Sequence, residues 1–236
     1  MIKWFLILLP LVLFGSFRGI ENDVWDDDAK KNNTLEKHDR VDLRAKALYD
    51  SISCNSLDYE VFLLALKGYQ KLKENHIDIA KDIITVIDFD QPSTKTRLFV
   101  IDIKNHKIIH KGLVAHGKNS GDNIAKKFSN KPNSLQSSLG FYLIGETYIG
   151  KHGLSIRLDG LEKDINHNAR RRNIVIHNAD YVSEQFVKRI GRLGRSFGCP
   201  AFPREDYKEV VDAISDKSLL FIYSSKSNYL EKSEVL

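Results

Sequence analysis

The chain has 236 residues, 42% hydrophobic and 28% charged, with 36 basic against 31 acidic side chains for a net charge of +5. That balance suits a folded globular protein with one main domain and excludes a disordered or fibrous chain. The modest positive excess favours an anionic partner without choosing among nucleic acid, an anionic membrane surface and a carboxylate-rich polymer.

At the N-terminus, Lys3 precedes an apolar run from Trp4 to Phe14, followed by the small residues Gly15 and Ser16. This is the layout of an export signal over 1–19, and it is short of the roughly 20 apolar residues a spanning helix needs, so no stable membrane span is expected. The expected compartment is therefore extracytoplasmic, periplasmic or at the cell surface. Residues 20–40 are rich in Asp, Asn and Lys, including Asp26, Asp27 and Asp28, and read as a disordered linker.

Two N-terminal helices are expected over 41–80. Val41, Ala45, Leu48 and Ile52 recur at helical spacing in the first; Val61, Ala65, Tyr69 and Leu72 do so in the second, with Ser56 as its N-cap and Asn75 as its stop. From Ile83 the pattern changes to short β-rich runs. Strands are predicted over Ile83–Phe89, Leu98–Ile103 and Lys107–Ala115, joined by turns in the manner of an antiparallel meander. His116 to Ser134, rich in Gly, Asn and Ser, reads as a long functional loop. Further strands are expected over Phe141–Ile144, Leu154–Leu158, Ile174–His177 and Leu219–Tyr223. Short helices are expected over Ser183–Ile190, closed by Gly191, and after Pro203 on the face of Tyr207, Val210, Val211 and Ile214. The catalytic domain is thus 81–225, mainly β, and 226–236 is a polar tail.

Chemistry concentrates between Ile174 and Pro203, where His177 ends a strand and Cys199 follows Gly198. A thiol must lose its proton to attack a carbonyl, and a neighbouring imidazolium or guanidinium lowers its pKa; His177, Arg192 and Arg195 are candidates to supply that field. The N–H groups of Gly198 and Cys199 are candidate oxyanion donors. With only Cys54 and Cys199 present, a single disulfide competes with this reading, and Cys54 is otherwise a small buried apolar residue.

The segments Ile174-Val175-Ile176-His177, Ala179-Asp180-Tyr181-Val182 and Gly194-Arg195-Ser196-Phe197-Gly198-Cys199-Pro200-Ala201 resemble the YkuD-type L,D-transpeptidase catalytic domain. The resemblance is narrower toward the murein branch, whose cysteine motif reads Ser-aromatic-Gly-Cys-Pro-Ala. Upstream it takes in Val114-Ala115-His116-Gly117, Ser137 to Tyr142, Tyr148 to Gly153 and Ala169 to Arg172, and so covers most of 82–223. It implies a β-sandwich or barrel-like fold, Cys199 as nucleophile, His177 as base, and the backbone carbonyl of Asn178 as the group orienting that base. It also implies acyl transfer on peptidoglycan tetrapeptide stems: a thioester forms with release of D-alanine, and an amine then takes the acyl group. No cofactor and no metal are implied. Phe197 stands where the wider family has histidine, Ala201 where it has a polar residue, and Asn178 where it has glycine. A hydrolytic L,D-carboxypeptidase would use the same acyl-enzyme.

Ser196, Arg195, His116, Tyr142 and Arg172 are the candidate substrate-binding residues. Arg170-Arg171-Arg172 runs into the His177 strand and suits stem carboxylates, against the alternative of a solvated turn. Nucleic acid is disfavoured, since no aromatics interleave with these cations. His152 is a second candidate to line the site. Its spacing to Asp159 also fits half of a zinc-peptidase signature, without the remaining ligands such a site needs. A non-catalytic wall-binding protein is the alternative of another class.

Overall fold

The computed structural model describes residues 42–236; the expected export signal and linker, and Val41 at the head of the first helix, lie outside the described residues. Helix α1 covers 42–52. Helix α2, Tyr59–Glu74, starts two residues later than Ser56 would set it: Asp58 is the N-cap, its carboxylate accepting from Glu60 N at 2.8 Å and from Val61 N at 3.3 Å. A charged acceptor at a helix N-terminus also opposes the positive end of the helix dipole, which favours Asp58 over Ser56. Asn75 ends the helix as expected. Among the described residues no helix is long and apolar enough to cross a membrane.

Among the described residues eight strands form one mixed sheet in the order β3-β2-β1-β8-β4-β5-β6-β7. They are β1 (Ile83–Asp88), β2 (Leu98–Asp102), β3 (Lys107–Gly112), β4 (Gly140–Gly150), β5 (Gly153–Gly160), β6 (Val175–Asn178), β7 (Ala201–Phe202) and β8 (Leu219–Tyr223). The expected meander is present as β1-β2-β3, and β3, at the edge of the sheet, alternates exposed and half-buried positions. The apolar runs of β1, β2 and β8 lie in the middle or next to it and are buried on both faces.

The sheet curls. Beyond β3 the chain crosses to the far edge, where Ala115 N donates to Ala201 O at 2.9 Å and Ala201 N returns the bond at 3.3 Å. The fold is mainly β and barrel-like, with the β7 edge brought under the start of the long loop. Helix α2 packs on β1 and β8. Gly68 makes this possible: a Cβ there would sit 1.9 Å from the Phe141 ring, which in turn stacks on Phe221 at 4.3 Å. Helix α3 (Glu184–Ile190) is capped by Ser183 and closed by Gly191. Helix α4 (Tyr207–Ile214) buries Tyr207, Val210, Val211 and Ile214, the face anticipated from their spacing.

Two segments differ from expectation. Strand β4 continues six residues past Ile144 through a register shift to form a long hairpin with β5, turning at Lys151-His152. The exposed Glu146 broke the apolar pattern that marks strands. The polar stretch 226–236 is not free of the domain: a short helix, α5 (Tyr229–Lys232), buries Tyr229, whose hydroxyl donates to Glu162 Oε1 at 2.9 Å.

Candidate active site

Cys199 lies in the tight turn that enters β7, and His177 lies on β6, which pairs with β7 in parallel so that His177 faces Ala201 across the ladder. Cys199 is two residues before Ala201, which puts its Cα about 8 Å from that of His177 at ordinary strand spacing. Both side chains feel one cation, Lys151 at the β4–β5 turn.

Ser196 ties the cysteine turn. Its hydroxyl donates to Cys199 O at 2.6 Å and accepts from Gly198 N at 3.1 Å. The Gly198 N–H is therefore already engaged by protein, which leaves the Cys199 N–H as the freer of the two expected oxyanion donors. Gly198 has φ +126°, and a Cβ there would lie 2.8 Å from Gln136 O and 3.1 Å from the Ile174 side chain. Only glycine fits that backbone without strain. The long loop clasps the turn from the other side: Ser137 Oγ accepts from Gly117 N at 3.1 Å and donates to Gly198 O at 3.2 Å.

Arg172 organises the same loop. It donates to Ser129 O and Gln136 O, each at 2.6 Å, and to Ser138 Oγ and Ser134 Oγ, each at 3.2 Å. Its charge also reaches the thiol. The half-buried Cys199 points its Sγ toward Asn173 O at 3.6 Å. Burial pushes the Cys199 thiol up; the Val175 N–H and the cations of Arg172 and Lys151 pull it back in part. The expected field from Arg192 and Arg195 is not assembled. Arg192 donates to Leu193 O, and Arg195 binds Asp122 at 2.7 Å and Gly121 O at 2.9 Å. Burial thus favours the thiol over the thiolate at Cys199.

His177 is buried. Its Nδ1 lies 2.9 Å from Asn178 O; a carbonyl only accepts, so Nδ1 carries the proton of the neutral ring and Nε2 presents its lone pair. Burial holds His177 below the usual imidazole range, the Asn178 carbonyl opposes this, and the charges of His152 and Lys151 add to the lowering. The His152 ring stacks on His177, centroids 4.5 Å apart and planes 20° apart. Beside this pair opens a cleft of about 560 Å³ lined by Lys151, His152, Asn178, Asp180, Tyr181 and Arg204, in which Arg204 is paired with Asp180.

The other sequence candidates lie deeper. His116 is 1% exposed, with Nδ1 accepting from Arg97 Nη2 at 2.9 Å and Nε2 facing Gly121 O at 3.3 Å. Burial, with the Arg97 charge beside it, holds this imidazole neutral, its pKa lowered to about 3. Tyr142 is fully buried and donates to Ser138 O at 2.9 Å and Ser138 Oγ at 2.8 Å. Both side chains brace the loop from beneath. Phe197 points outward, 64% exposed, with Lys118 Nζ 4.9 Å over its ring.

Sequence reasoning missed Arg97, a fully buried cation bonded to Val114 O, Gln91 O and His116. It also missed Ser137 as the link from loop to cysteine turn. Arg97 carries no local signal; Ser137 was visible only as part of a resemblance. Cys54 is buried and both cysteines are free, so the disulfide alternative falls. Among the described residues no three His, Cys, Asp or Glu side chains gather as a metal site. His152 and Asp159 stand roughly 20 Å apart along the extended β5, and Asp159 is held by Arg170.

A search of the curated proteins found no match. Among solved structures the chain is similar to an L,D-transpeptidase from Mycobacterium smegmatis, at 13% identity and TM-score 0.38 over 61% of this chain and 59% of that one. It is likewise similar to the helical cell shape determining protein Pgp2 (K307A mutant) from Campylobacter jejuni, at 14% identity and TM-score 0.42 over 66% and 54%. A third is an L,D-transpeptidase (residues 123–326) from Xylanimonas cellulosilytica, at 11% and 0.35 over 78% and 93%. The chain spans little more than half the length of the first two. The L,D-transpeptidase catalytic domain family matches residues 53–223, nearly three quarters of the sequence and the whole of the site just described, and the chain belongs to that family.

Proposed function

We propose that the protein is an exported, cysteine-dependent peptidoglycan L,D-transpeptidase. Cys199 Sγ attacks the carbonyl of the L-centred residue that precedes the terminal D-alanine of a tetrapeptide stem, and His177 Nε2 takes the thiol proton as the C–S bond forms. The C–N bond to D-alanine then breaks, and His177 returns the proton to the departing amine. An incoming amine attacks the thioester, yields a proton to His177, and releases the sulfur, which regains its proton. No cofactor enters this sequence.

The observation that carries the reading is the β6–β7 pairing, which sets a half-buried cysteine two residues from the rung of a histidine whose Nδ1 is committed to a carbonyl. With thiol and imidazole both near neutral forms, proton transfer during attack is the chemistry this pair supports. Ser196 holds the turn, Arg172 sets the loop, and the cleft beside His177 offers Lys151 to a substrate carboxylate and a wall of half-buried Tyr181 and Arg204-paired Asp180 to an approaching amine. The +5 net charge suits the carboxylate-rich wall, and the apolar run Trp4 to Phe14 supports export to the periplasm or cell surface.

Incubation with purified tetrapeptide muropeptides followed by mass spectrometry tests the proposal. The expected result is a thioester on Cys199, free D-alanine and cross-linked products, all absent in Cys199→Ala. An unmodified parent protein and unchanged muropeptides overturn it.

A further inference from the structure

The β4–β5 hairpin runs well past the rest of the sheet, and its turn, Lys151-His152, arrives over β6. What it delivers there is specific in geometry. The His152 ring lies nearly parallel to the buried His177 ring at 4.5 Å, while His152 itself is exposed and lines the 560 Å³ cleft. The imidazole thus has its Nδ1 edge fixed by Asn178 O and one face covered by a second ring.

We propose that His152 is a positioning residue for His177: carried on the hairpin turn, its ring roofs the buried imidazole, holds the ring plane while Nε2 exchanges a proton with Cys199, and keeps water off that face. The proposal rests on His177 being the base of the acyl transfer proposed above. A single hydrogen bond at Nδ1 leaves the ring free to rock about its own Cβ–Cγ bond, and histidine χ2 is a soft torsion. A stacked ring removes that freedom, as offset stacking is favoured at this separation. A roofing ring also keeps the local dielectric low, so that the imidazole stays neutral and able to accept a proton.

The groups facing His177 are few. The hairpin turn presents Lys151 and His152, β5 presents Ser155 across the ladder, β6 presents the Asn178 carbonyl, and β7 presents Ala201. From α4, Tyr207 donates to the adjacent Ile176 O at 3.2 Å. No carboxylate among these favours the imidazolium. His152→Ala admits water and removes a like-charged neighbour, and both changes raise the pKa of His177. His152→Phe keeps the roof and removes only the charge, so its rise is smaller.

The test uses the full chain with parent, His152→Ala and His152→Phe proteins, and the His177 ring followed by NMR titration, assigned against His177→Gln. Expected is the order Ala above Phe above parent for the His177 midpoint. On tetrapeptide muropeptides kcat should fall about tenfold in His152→Ala with KM little changed, as for a misaligned base, and recover in His152→Phe. An unmoved His177 titration in His152→Ala, equal shifts in the two variants, or a rise in KM at constant kcat overturns the proposal. A parent that does not process muropeptides would sink the acyl-transfer reading alone, because the titration judges His152 without turnover.

Discussion

Removing the Ser196 hydroxyl should loosen the Cys199 turn by an amount that follows from the bonds it makes. In Ser196→Ala the Gly198 N–H, now accepted at 3.1 Å, and the Cys199 carbonyl, now bonded at 2.6 Å, both lose their partner. Ser196 is 5% exposed, so water does not readily replace it. A buried donor left without an acceptor costs about 1–3 kcal/mol and a lost neutral bond about 1 kcal/mol more, for a total near ~3 kcal/mol. For a domain of this size that is a fall in Tm of about 6–12 °C. Thermal unfolding of the full chain by circular dichroism gives the number directly. Iodoacetamide labelling of Cys199 should quicken as the turn opens, while muropeptide turnover falls. A Tm within about 2 °C of the parent, with unchanged labelling, would refute the view that this hydroxyl holds the turn.

Two further outcomes follow from the site. Asn178 acts through its main-chain carbonyl, so Asn178→Ala should keep activity within about threefold, whereas His177→Gln should lose about 100-fold or more in kcat, as removal of a general base does; equal losses in muropeptide assays would contradict the assigned roles. His116, with a folded pKa lowered to about 3 against an ordinary value near 6.5, is neutral in the native protein and charges only on unfolding in that window. Its contribution is present above pH 6.5 and is lost as pH falls toward 3, by up to about 1.4 kcal/mol per unit. Chemical denaturation between pH 4 and 6.5 should therefore show a shallower acid slope in His116→Gln than in the parent, and parallel slopes would rule the effect out.

The legible parts of this protein are those with a local cause. The apolar runs of β1, β2 and β8, the spaced face of Tyr207, Val210, Val211 and Ile214, and the Ser183 and Gly191 boundaries of α3 all express preferences within a few residues. The segment from His177 to Cys199 is compact enough in sequence to be read as chemistry before any coordinates. Where a second preference competes nearby, local reading slips: Ser56 yields to Asp58 because a carboxylate caps a helix better, and β4 outruns its apolar stretch because β5 pairs with its exposed half.

Sequence alone determined a mainly β domain with helical additions and singled out one thiol and one imidazole, since burial pattern and residue chemistry are carried by neighbours along the chain. Tertiary structure alone decided their surroundings. The parallel joining of β1 to β8, the burial of Arg97 against His116, the four bonds of Arg172 that shape the loop, and the arrival of Lys151 and His152 over His177 each join residues from distant parts of the chain. No periodicity records such a meeting, because it is the closure of the curled sheet that brings the partners within reach and withdraws the water that would otherwise screen them.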